Sequence, residues 1–161
     1  VFNFEWSVNV DQSGTSGAML SGFGYRFSFD TDPTAGVAFT TIDPFNTAGY
    51  FDHSFGSNAT PNGAGTEFAS LALMQAELGN YSVAQQSTNL GFGFSTDPDL
   101  PGLYSFKFEV FDLSAPTRTL SSAQILVEVS PVPGTVPTPA TLPLVIGAMG
   151  LLGYASRRRR Q

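Results

Sequence analysis

The sequence has no cysteine, a single histidine and few charges: Asp, Glu, Lys and Arg together make up 12% of its 161 residues. Disulfides, thiolate nucleophiles and Cys-ligated metal sites are thereby excluded. A Ser–His–Asp triad would have to use His53, and no GxSxG-type nucleophile motif accompanies it. A zinc site would need its remaining ligands from carboxylates. His53 is therefore expected as a surface or loop residue. Cations are scarcer still. Before residue 140, 13 Asp and Glu stand against Arg26, Lys107 and Arg118, a balance of −10. An acidic body repels phosphate and has few cations with which to release counterions, so nucleic acid is not an expected partner. No cofactor or metal is expected, and the chain reads as non-enzymatic.

What is present is aromatic and rich in turn formers: 15 Phe, 17 Gly and 11 Pro. Such a composition favours short strands joined by turns. Residues 1–10 alternate, with Phe2, Phe4, Trp6, Val8 and Val10 on one side and Asn3, Glu5, Ser7 and Asn9 on the other. Period-2 alternation marks a strand with one buried face. The same pattern recurs at 23–29, 104–110 and 125–129, and 37–42 is a shorter β-branched candidate. Turn signals separate these runs: Asp-Pro at 32–33, 43–44 and 97–98, and Asn62-Gly63. Glu67–Leu78 leans towards a short helix, although Leu73 and Met74 blur its apolar face. The reading is all-β: an antiparallel β-sandwich, jelly-roll-like, over residues 1–129.

Within this body the chemistry-bearing residues are few. Asp30 and Asp32, with Asp97 and Asp99, place carboxylates two apart in turns and are the candidate calcium ligands; turn formation is the competing use. Asp30, Asp32 and Asp97 sit in a near-repeat, Phe27–Pro33 against Phe92–Pro98. Glu5, Glu67, Glu77, Glu109 and Glu128 could supply a glycosidase pair, but no spacing selects two of them. Trp6 and most phenylalanines fall on apolar faces and belong to a core. Tyr50, Phe51, His53 and Phe55 lie in a less regular, Gly/Asn-flanked region and are expected to form an exposed patch.

After Val129 the texture changes. Residues 130–139 hold four prolines in ten positions, which predicts an extended polyproline II linker. Residues 140–156 carry no charge and would span about 25 Å as a helix, the short end of a membrane crossing. Gly147, Gly150 and Gly153 recur within it. Arg157, Arg158, Arg159 and Arg160 follow at once as a cationic stop in a cytoplasmic tail, residues 157–161. Residues 1–10 read as a strand, not a signal peptide, so an exported chain is expected to have lost its signal or to be a fragment.

The order Val136-Pro137-Thr138-Pro139, apolar helix, arginine run resembles the PEP-CTERM sorting signal, also labelled the ice-binding protein C-terminal domain. Pro139-Ala140-Thr141-Leu142 is similar to that family's usual start of the helix. The family usually has Glu where this chain has Thr138. The resemblance covers residues 134–161. It implies an exosortase partner acting at the Pro-containing motif, passage through the inner membrane, and release or attachment at the surface of biofilm-forming Gram-negative bacteria. For the body, the resulting expectation is a cell-surface or matrix protein. The alternatives are a carbohydrate-binding or adhesive module on extracellular polysaccharide and, behind it, a secreted hydrolase.

Overall fold

Alternation turns into strand where it is strongest. In the computed structural model, which describes residues 3–50, 53–89 and 100–130, β1 covers Asn3–Asn9, β2 Phe23–Asp30, β3 Phe39–Ile42 and β6 Gly102–Asp112. Three strands go beyond the expectation. β4 is only Ser54–Gly56, β5 is the polar run Val83–Asn89, and β7 reaches back from Val129 to Ala115. The helix is shorter than its pattern: α1 spans Leu71–Glu77, capped by the Ser70 hydroxyl accepting from the Leu73 amide at 3.3 Å. The blurred face resolves cleanly, since Met74 is fully buried and Leu73 is 54% exposed.

The strands form two antiparallel sheets, β1-β5-β4 and β3-β2-β6-β7. The all-β antiparallel expectation holds. The sheets meet through aromatic side chains. Phe4 of β1 stacks on Phe27 of β2 at 5.1 Å and on Phe106 of β6 at 4.9 Å, and Trp6 meets Phe108 at 4.7 Å. Each buried ring of this size contributes roughly 1.5–3 kcal/mol through area alone. Inter-ring geometry adds about 0.5–1.5 kcal/mol per pair. Phe45 and Tyr50 close the core from the loop after β3, and the Trp6 indole N–H donates to the Tyr50 hydroxyl at 3.3 Å.

That packing corrects two expectations. His53 is 0% exposed, ringed by Trp6, Phe45, Tyr50 and Phe55 with centroids 5.2–5.8 Å away. Tyr50 and Phe55 are buried as well, so the Gly/Asn-flanked aromatics are core and not an exposed patch. An imidazole has two flat faces that pack like a small aromatic, and the neighbouring glycines let the chain turn inward there. Phe51 lies outside the described residues, as do Asp97, Asp99 and everything from 131 to 161. Those last positions include the Val136–Pro139 motif, the apolar segment 140–156 and Arg157–Arg160. Among the described residues no helix is long and apolar enough to cross a membrane.

Candidate functional site

Strand pleat fixes which side chains leave the core. With Phe4, Trp6, Ala84 and Phe55 pointing inward, Glu5, Gln85, Ser87 and Ser54 stand on the outer face of the β1-β5-β4 sheet. The register sets Glu5 opposite Ser87 and Ser54 opposite Gln85. The loop after β4 rises beside them. Its neck is tied by two backbone hydrogen bonds between Phe55 and Thr66, each 2.8 Å. Inside the neck, Ser57 and Ala64 sit in turns closed by Thr60 and Pro61, and Gly63 takes a φ of +77°, a region closed to most side chains. At Gly65 a Cβ would overlap the Ser54 hydroxyl and crowd the Phe55 carbonyl at 3.3 Å, so a larger residue would have to displace the Ser54 side chain.

Sheet and loop enclose a furrow of about 450 Å³ lined by Glu5, Ser54, Asn62, Glu67, Gln85 and Ser87, with buried Gln86 below. A smaller recess of about 80 Å³ beneath the loop shares Ser54, Asn62 and Gln85 with it. Among the described residues, none of the six furrow side chains hydrogen-bonds to the protein. That sets them apart from the structural carboxylates. Asp11 accepts from the Ser16 hydroxyl at 2.7 Å, the Ser16 and Gly17 amides and Ser13, and the Ser16 hydroxyl above all holds its carboxyl below the usual range. Asp112 is lowered in the same way by the Ser114 hydroxyl and amide. Asp43 runs the other way, raised by burial and only partly offset by the Phe45 amide.

The two calcium candidates among the described residues, Asp30 and Asp32, are also engaged in turn formation. Asp30, 1% exposed, accepts from the Asp32 and Ala38 amides at 3.1 and 2.9 Å, and Asp32 accepts from the Thr34 amide at 2.9 Å. Among the described residues no three of His, Cys, Asp and Glu gather as a metal set. Of the five glutamates, the fold separates three: Glu77 bonds Asn80, Glu109 pairs with Lys107 at 3.0 Å, and Glu128 sits opposite Leu103. Glu5 and Glu67 share a recess.

No family model, curated protein or solved structure matches this chain. The site therefore has to be judged on its own geometry. A third recess, about 460 Å³, is mostly apolar and opens between β1 and β7, the last strands of their sheets, with Leu120 and Ile125 43% and 47% exposed at its rim. The sequence named Glu5 and Glu67 among five glutamates without selecting them, and did not mark Ser54, Asn62, Gln85 or Ser87 as their partners. The available signal was the polar run Gln85-Gln86-Ser87-Thr88-Asn89, whose length suits a strand although it lacks apolar alternation.

Proposed function

We propose that the chain is a non-enzymatic protein exported to the bacterial cell envelope or biofilm matrix, with a β-sandwich body and a C-terminal sorting tail. The observation that carries this reading is the order of segments after β7. A proline-spaced linker leads into Val136-Pro137-Thr138-Pro139, then 17 uncharged residues at 140–156, then four arginines. Hydrocarbon accepts the uncharged segment and refuses guanidinium, which leaves the arginines on the cytoplasmic side and the body outside. An exosortase acting at the Pro-containing motif then separates body from tail. The uneven charge, −10 before residue 140 and +4 after it, suits that orientation.

For the body, the strand orders favour a finer fold than the jelly roll expected from the sequence. Sheets β1-β5-β4 and β3-β2-β6-β7 correspond to the B-E-D and C′-C-F-G arrangement of an immunoglobulin-like Greek key without its first strand. A jelly roll uses eight strands in two Greek keys. The described residues contain seven.

Mass spectrometry of the native protein from cell surface and culture medium tests the sorting reading. The expected surface form has lost the arginine run. A surface form that still ends in Arg160-Gln161 overturns it.

A further inference from the structure

We propose that the furrow on the outer face of the β1-β5-β4 sheet binds a glycan that carries no acidic groups. The assignment gives the matrix reading a ligand and rests on that reading only for where the glycan is met.

The lining chemistry selects the class. Asn62 and Gln85 each offer an N–H donor beside a carbonyl acceptor, Ser54 and Ser87 offer hydroxyls, and Glu5 and Glu67 offer paired acceptor oxygens. This mixture complements the closely spaced hydroxyls of a sugar ring, each of which both donates and accepts. An apolar ligand finds no apolar side chain among the six, and the desolvated amides would be left unpaired. An acidic ligand meets two carboxylates, no cation in the lining, and a body with 13 acids against three bases before residue 140. A divalent ion would find two carboxylates where a tight calcium site gathers six to eight oxygens.

Two further features mark a built site. All six side chains are unused by the fold, whereas Asp11, Asp30, Asp32, Asp43 and Asp112 are consumed by turns. The wall is held in place before any ligand arrives, by the Phe55–Thr66 pairing and by the close approach that Gly65 permits. Preorganisation lowers the ordering cost of binding. The lining has no exposed aromatic platform, since Phe55 at the rim of the smaller recess is 1% exposed. Affinity for one sugar is then weak and grows by multivalency along a polymer.

The test is titration calorimetry on the full chain in a detergent without a sugar headgroup. The panel holds neutral gluco-, manno- and galacto-oligosaccharides, N-acetylglucosamine and glucosamine oligomers, acidic oligouronates, and calcium chloride alone. Saturable binding of a neutral or amino-sugar oligomer is expected, weakened at least about tenfold by Gln85→Ala and by Glu5→Gln, and unchanged by Glu128→Gln on the other sheet. Should Gln85→Ala fail to fold, Glu67→Gln and Ser87→Ala at the exposed rim carry the same expectation. Three results overturn the assignment: no oligosaccharide binding, equal binding of oligouronates, or wild-type binding by folded furrow variants. Sugar binding that disappears with a chelator and follows calcium also overturns it. Absent glycan binding beside a native surface form that has lost its arginine run rejects the furrow alone, and glycan binding beside a native surface form that still ends in Arg160-Gln161 rejects the sorting reading alone.

Discussion

At the scale of single residues, the core is built from rings, and His53 is one of them. Fully buried between Trp6, Phe45, Tyr50 and Phe55, it supplies packing area that alanine cannot. His53→Ala is expected to cost about 2–5 kcal/mol, read by urea denaturation of the full chain. Trp6 and the inward phenylalanines of β1, β2 and β6 were legible in the sequence because the strand period leaves them one face. His53 was not, because imidazole is amphipathic and its burial depends on how the loop at 44–50 folds over it and on Trp6 of β1, which is far away in sequence. The aspartates make opposite contributions to acid stability. Asp11 and Asp112 have folded pKa values below the ordinary 3.8, so their stabilisation is complete above about pH 4 and is lost as pH falls through the depressed values. Asp43 is raised, so its protonation on acidification relieves a cost of burial. Asp11→Asn should therefore flatten the fall in melting temperature between pH 5 and pH 2.5, a result that a thermal melt series would show.

At the scale of elements, alternation exposed the aromatic strands and missed the polar one. β5 lies between β1 and β4, yet over residues 83–87 the buried side chains are Ala84 and Gln86, and neither carries a hydrophobic signal of any size. β7 was half seen for the same reason: Thr119, Ser121 and Ser122 are held by pairing with β6, not by side-chain hydrophobicity. The furrow inherits that blindness, since half its lining comes from β5 and from the loop above it. On the other sheet, Gly24 of β2 sits opposite Phe111 of β6, whose ring covers it and lies 4.1 Å beneath the Arg26 guanidinium. A methyl at Gly24 would occupy the space of that ring. Gly24→Ala is expected to destabilise by about 1–3 kcal/mol in chemical denaturation, through a displaced ring and a lost cation–π contact.

At the scale of the molecule, strand pairing was the least legible property. β1 pairs with β5 and β2 with β6 across some 80 residues, and local periodicity carries no record of which edge meets which. The reading of the tail rests on hydropathy and charge alone, and residues 131–161 lie outside the described ones. Its prediction belongs at this scale too. With Arg157–Arg160 changed to serine, a reporter fused after Gln161 should lose its fixed cytoplasmic placement, as read by protease access to spheroplasts. An unchanged placement would show that the arginines do not set orientation.

The double hydrogen bond between Phe55 and Thr66 has a consequence for change over generations. A ring of chain knotted at its base transmits little of what happens at its tip to the strand that bears it. Ala59, Pro61 and Asn62 can exchange side chains while β4 keeps its place on β5, whereas Asn58 is tied to Asn9 and Asp11 and Gly63 is held by its φ of +77°. One border of the furrow is thus free to vary on an invariant floor, and descendants of this chain could trade one recognition preference for another without refolding.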